Sequence, residues 1–141
     1  MKRGRKFLGV LCLLILSDCE PRDSHRSTHR LALPWGALDR PSDQAILRGV
    51  TIVGGWAIAP DGVEKVSIYV DREFLAAALY GGERRDVQAA FPTEREALFS
   101  GFYAEIDTRL LPPGRHLLII QVRSTKGATR DVGSVSVTIE N

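Results

Sequence analysis

Two cysteines, one methionine and three histidines are all that 141 residues contain of the side chains that most often bind metals or attack substrates. Both cysteines, Cys12 and Cys19, fall within the first twenty residues. The rest of the chain therefore closes no disulfide and offers no thiolate cluster to zinc. Beyond residue 30 the sole histidine is His116. Nucleophilic catalysis needs an activated serine or thiol beside a base, and Ser100 and Ser124 stand in no nucleophile-elbow context. An excess of positive charge is also missing where nucleic acid would need it. The 19 Lys/Arg and 17 Asp/Glu are unevenly spread, seven against three in residues 1–30 and twelve against fourteen in residues 31–141. A body without surplus cations does not hold a polyphosphate backbone.

The first thirty residues read as an address. Lys2, Arg3, Arg5 and Lys6 precede the uncharged run Phe7–Leu16, and Ser17-Asp18-Cys19-Glu20 follows it. A basic segment ahead of a short apolar one is the pattern of an export signal. As a helix this run extends about 15 Å, half of a ~30 Å hydrocarbon core, so it does not span a bilayer. Leu16-Ser17-Asp18-Cys19 resembles a bacterial lipoprotein signal, and that resemblance implies acylation of Cys19 and a membrane tether. Lipidation at Cys19, cleavage with ordinary secretion, and retention as an uncleaved interfacial anchor are the three outcomes open to it. Residues 1–19 are thus expected to be a signal or anchor helix and residues 20–43 a flexible linker. Within the linker, Leu31, Leu33, Trp35 and Leu38 are apolar enough to dock back onto the domain. His25 and His29, four apart with no third ligand near, read as solvated linker residues rather than a metal site.

Residues 44–141 alternate with a period of two. Val66, Ile68 and Val70 interleave with Lys65, Ser67 and Tyr69; Phe102, Ala104 and Ile106 with Tyr103, Glu105 and Asp107; Val135, Val137 and Ile139 with Ser134, Ser136 and Thr138. Such alternation sends apolar and polar side chains to opposite faces of a strand. Pro60-Asp61-Gly62, Asp71-Arg72, Pro112-Pro113-Gly114 and Lys126-Gly127 supply turns between the runs. About seven short strands and no long helical period predict an all-β, antiparallel sandwich. Residues 81–101 carry little strand character. They are expected to be an ordered crossover between the two sheets, with helical turns at Asp86–Phe91 and after Thr93, bringing Phe91, Leu98 and Phe99 over a core edge.

Several pieces stand in a suggestive order: Gly55-Trp56-Ala57, Asp61-Gly62-Val63, Val66-x-Ile68-x-Val70-Asp71, Tyr80-Gly81, Arg84-x-Asp86-Val87, Phe91-Pro92, Ser100-Gly101-Phe102, and Asp107-Thr108-x-x-Leu111-x-x-Gly114-x-His116. The series resembles bacterial immunoglobulin-like (Ig-like) domains of exported proteins, across residues 44–141. Arg72, where glycine is usual, and Arg85, where proline is usual, depart from it. Size makes Trp56 the expected anchor of the space between the sheets. His116 is expected to bond back to the corner before its strand, and Arg84 and Asp86 to pair and pin the crossover.

No cofactor, no metal and no catalytic set is expected. Gly81-Gly82 lacks the Lys-Ser/Thr of a phosphate loop, and Asp61, Asp71 and Asp131 form no calcium-loop pattern. The expected role is a non-catalytic, extracytoplasmic module with a structural, adaptor or protein-interaction task, its partner an envelope or surface protein of unknown identity. The alternative is a small carbohydrate- or polymer-binding domain. It requires that at least two of Trp35, Tyr69, Tyr80 and Tyr103 line up on one solvent-facing surface.

Overall fold

Side-chain alternation is realised as two packed layers in the computed structural model, which describes residues 32–141. The expected signal segment, Cys19, His25 and His29 lie outside the described residues. Eight strands are present among those described: β1 (Trp35–Arg40), β2 (Ala45–Leu47), β3 (Val50–Ile58), β4 (Val63–Val70), β5 (Glu73–Gly82), β6 (Gly101–Asp107), β7 (Gly114–Ser124) and β8 (Thr129–Ile139). Their hydrogen-bonded order is β1-β3-β6-β5-β4-β7-β8-β2. The first half of β5 pairs with β4 and the last residues of β5 pair with β6. This one strand therefore joins a first layer (β1, β3, β6) to a second (β4, β7, β8, β2), and the sheet curls around its own interior.

The interior is what the alternation encodes. Val53 and Ala57 from β3, Val66 and Ile68 from β4, Phe102, Ala104 and Ile106 from β6, and Leu118, Ile120 and Val122 from β7 form one buried cluster. Each large aliphatic side chain removed from water contributes about 1.5–3 kcal/mol. The all-β, Ig-like sandwich expected from the sequence is the observed class.

Four details differ from the sequence reading, each for a physical reason. Trp35–Arg40, expected in the linker, is an edge strand paired antiparallel with β3, which brings the strands to eight. Its apolar side chains supply the reason: Leu38 packs on the core while Trp35 joins a second cluster. The chain then changes layer. Gln44 N–H donates to the Ser136 carbonyl (2.7 Å) and Asp43 accepts from Ser136 N–H (2.9 Å), delivering β2 alongside β8 in parallel rather than antiparallel.

Trp56 is not between the layers. Along β3 the small residues Gly55 and Ala57 face inward with Val53, and Ile52, Gly54, Trp56 and Ile58 face outward. Trp56 is half-buried in the second cluster, with Ile58, Val87 and Ala97 buried beside it and Trp35 and Phe91 packed on them. Its ring meets Trp35 edge-on at 5.2 Å and Phe91 at 5.5 Å. Finally, the segment between β5 and β6 does not cross between sheets. It joins two hydrogen-bonded neighbours and folds back over the outer face of the first layer through helix α1 (Arg85–Ala90) and a 3-10 turn at Ala97–Phe99. Phe91 packs beneath it as expected, but Val87 and Ala97 are its buried residues and Phe99 is exposed.

Two glycines show opposite constraints. A Cβ on Gly55 would stand 2.1 Å from the Ala37 carbonyl oxygen and 2.8 Å from the Phe102 ring. The nearest atom to a Cβ on Gly82 is 3.5 Å away. Gly55→Ala is expected to lower stability by about 1–3 kcal/mol or more through overpacking, and Gly82→Ala to change it by less than about 0.5 kcal/mol. Urea midpoints of the two variants check the contrast.

Candidate interaction face

The outer face of the first layer is divided by one side chain. Arg84 leaves the end of β5 and its stem lies over Gly101 of β6, where a Cβ would sit 3.1 Å from Arg84 Cγ and 2.9 Å from the Gly82 carbonyl oxygen. Only a glycine at 101 leaves that path open. The guanidinium donates from Nε and Nη2 to the two carboxylate oxygens of Asp86 (2.9 and 2.7 Å) and from Nη1 to Asp39 on β1 (2.8 Å). The arm is 22% exposed. This planar, two-pronged grip is the geometry that arginine offers and lysine does not. The Arg84 bond holds the Asp86 carboxyl down at about 2, and Asp86 in turn raises the Arg84 guanidinium above its already high range. The expected pairing of Arg84 with Asp86 is present. Asp39, 45 positions away, completes it.

On one side of the strap lie Trp35, Trp56, Ile58 and Phe91 beneath the folded-back segment. On the other side the face is bare. Gly54, Gly82 and Gly101 floor a shallow trough of about 250 Å³, walled by Ile52, Tyr103 and Arg84 and closed at one end by Asp39 and Arg40. Registers place Gly54 opposite Tyr103, Ile52 opposite Glu105, and Leu79 opposite Tyr103, so these side chains share one surface. Val50, Ile52, Tyr103 and Leu79 are exposed by 59, 48, 50 and 63%. Four large apolar side chains in neighbouring strands, rimmed by Arg40, Glu83 and Glu105, form a patch rather than scattered exposure.

His116 serves a different place. It enters β7 with a side chain only 11% exposed. Its Nδ1 lies 2.6 Å from Asp71 Oδ2 and its Nε2 2.7 Å from the Pro112 carbonyl. Both partners are acceptors, so the two contacts are satisfied together only in the imidazolium form, in which both ring nitrogens donate. The Asp71 bond, aided by Pro112, raises its pKa. Asp71 also accepts from Leu117 N–H (2.9 Å), the main cause that lowers its own, with the His116 bond second. The corner holds the β4–β5 turn, where Asp71 (φ 51°) and Arg72 (φ 72°) both occupy the left-handed region. That conformation costs a non-glycine residue about 1–2 kcal/mol. The missing glycine at 72 is thus accommodated by an anchored neighbour.

The four candidate aromatics do not share a surface. Trp35 is packed with Trp56 and Phe91. Tyr80 turns inward against the core and donates to the Ala57 carbonyl at 2.9 Å; burial, then the Glu96 charge, pushes its phenol up. Tyr69 lies on the outer face of the second layer, edge-on to Phe74 at 5.9 Å, with Lys65 over Phe74. Tyr103 alone stands on the bare face. Sequence reasoning missed Ile52, Val50 and Leu79 as surface residues. The register that brings them beside Tyr103 depends on pairings between distant strands.

No family model matches the chain, and no curated protein matches it. Solved structures do. An endo-β-1,4-mannanase from Thermotoga petrophila aligns with TM-score 0.55 and 15% identity, over 82% of this chain and 21% of the mannanase. Fibronectin(III)-like modules of CbhA from Clostridium thermocellum align with TM-score 0.52 and 18% identity, over 77% of this chain and 47% of theirs. The chain spans about a fifth of the first and just under half of the second. At these identities the likeness is one of fold: the chain is similar to fibronectin III-like β-sandwiches.

The His116–Asp71 corner sets a pH window. A raised histidine contributes fully below its ordinary value of 6.5 and loses its contribution as pH rises through the folded value. A lowered carboxylate contributes fully above 3.8 and loses its contribution as pH falls through the folded value. His116→Asn is therefore expected to cost about 1–3 kcal/mol near pH 5, with the gap to wild type narrowing at alkaline pH and again in strong acid. Denaturant titrations of both proteins across pH check it.

Proposed function

We propose that the chain is a non-catalytic module of the cell envelope, exported, held at a membrane through its N-terminal segment with Cys19 as the acylated residue, and acting by contact with an envelope or surface protein. One observation carries the reading: Val50, Ile52, Tyr103 and Leu79 stand exposed together on the outer face of the first layer. Leaving such side chains in water is unfavourable at roughly 25 cal/mol per Å², and contiguous apolar patches with a polar rim are characteristic of docking surfaces. The polar groups that the sequence singled out support the same reading from the other side. Arg84 and Asp86 bond to the protein itself and hold the elements that frame the face, and His116 is engaged by Asp71 and Pro112 at the β4–β5 corner. An aromatic platform for sugar rings asks for two aligned rings, and the bare face has one.

A photo-cross-linking residue at position 103, installed in the full chain in its native envelope, is expected to give adducts with another envelope protein. A residue at Ser134, exposed on the outer face of the second layer, is expected to give none. The adducts are expected to vanish when Ile52→Asp is added. No adduct at 103, or equal adducts at 103 and 134, contradicts the reading.

A further inference from the structure

Resting on the reading that the bare face is a contact surface, we infer that the partner engages it through an extended segment of its own chain, which adds as a strand to the open edge of β6. The register defines that edge. β6 pairs with β3 over its whole length, but with β5 only as far as the Tyr103–Leu79 pair. Beyond that pair β5 belongs to β4, and Ala104–Asp107 have no strand beside them on that edge among the described residues.

Two hydrogen bonds fix which backbone groups face the opening. At the ends of the β3–β6 pair, Ala57 N–H donates to the Ser100 carbonyl and Thr108 N–H to the Gly49 carbonyl, both at 2.9 Å. Along an antiparallel strand, residues bond alternately to one side and to the other. Residues 100 and 108 bond toward β3, so the even-numbered residues between them do the same. Glu105 and Asp107 therefore turn N–H and C=O into the opening. By the same alternation Ala77, two residues before Leu79, turns its own into it from β5. Between them lies a cleft of about 370 Å³ lined by Ala76, Ala77, Leu79, Tyr103, Ala104 and Glu105. Three alanines leave this edge uncovered. The outer edges of the sheet are blunted by comparison: β2 has three residues, and β1 lies on β8, where a Cβ at Gly133 would stand 2.7 Å from Leu38 Cβ.

A row of backbone donors and acceptors at fixed spacing is matched by another polypeptide in extended form, the basis of recognition by strand addition. The surroundings state the chemistry of that segment. A residue placed opposite Glu105 shares the outer face with it and with Tyr103. Glu105 is exposed and belongs to no ion pair among the described residues, so lysine or arginine there makes an opposite-charge cross-strand pair. The neighbours of that residue, opposite Ala104 and Ile106, turn toward the core in which both are buried and are apolar. The added strand lies against Tyr103 and Leu79, so it covers part of the exposed patch by the same act.

A photo-cross-linking residue at position 103 of the full chain, in its native envelope, reads the contact. Its adducts are expected to map by mass spectrometry to one extended segment of the partner. Glu105→Pro removes an N–H that bonds nothing in β3, the position at which an edge strand accepts proline, and is expected to lower adduct yield about tenfold. Ala77→Arg sets a cation across the cleft from Glu105, closing it, and is expected to lower the yield likewise. Glu105→Gln keeps the backbone donor and is expected to stay within about threefold of wild type. Urea midpoints identify the folded variants, and whichever blocking variant keeps the wild-type midpoint decides. Yields equal to wild type in the blocking variants, or equal losses in Glu105→Gln and Glu105→Pro, overturn strand addition and leave the contact surface standing. Adducts that map to a helix, to residues 20–31 of this chain or to a second copy overturn it as well. Absence of any adduct from 103 in the otherwise wild-type chain removes the proposed function, and this inference with it.

Discussion

A single guanidinium determines how much of the first layer is covered. Arg84 grips Asp86 at the start of the folded-back segment and Asp39 on the edge strand, with its stem laid over Gly101. The strap joins three parts of the chain that sequence separates: β1, the β5 end and helix α1. Its three bonds are charge-assisted and made by one arginine to two carboxylates, two of them as a bidentate pair; Asp39 and Asp86 stay open to water, so the strap acts through ideal geometry and a linked network rather than through burial. Helix α1 has six residues and no side-chain cap, too short to persist by its own hydrogen bonds. It is held from outside, by the strap and by Val87 beneath.

The consequence is a face of two characters. On one side of Arg84, two tryptophans, a phenylalanine and Ile58 exclude water together. On the other, glycines at 54, 82 and 101 keep the surface low while Ile52 and Tyr103 rise from it. A sandwich needs only its inner faces to be apolar. Apolar side chains on an outer face therefore call for a covering: the folded-back segment supplies it for Trp56, and a partner is proposed to supply it for Tyr103.

Much of this was legible in the sequence, and the failures have physical causes. β4, β7 and β8 announce themselves because one face of each is apolar and the other polar. In β3 both faces are apolar or glycine apart from Thr51, so alternation does not say which way Trp56 points, and bulk argued for the interior. The structure instead puts Gly55 and Ala57 inside, where Phe102 fills the space they leave. β1 is hidden by Pro34, Gly36 and two charged residues that read as linker. The Arg84–Asp86 pair is legible from its spacing of two, whereas Asp39 becomes its partner only through the β1–β3 register. His116 was readable as a corner residue. Its bond to Asp71 was not, because the turn at 71–72 lacks the glycine that usually marks it. The bare face was the least visible part, since it is assembled from three strands whose order, β3-β6-β5, is not their order in the chain.

Both tryptophans of the protein, Trp35 and Trp56, lie in the cluster under the folded-back segment, so their fluorescence reports on that cover and on little else. The most direct test of the strap is the emission of Arg84→Ala under conditions where far-UV circular dichroism retains the strand signature. The account predicts emission shifted to the red and more readily quenched by acrylamide, because the cover lifts while the sandwich persists. Emission and quenching identical to wild type would contradict it.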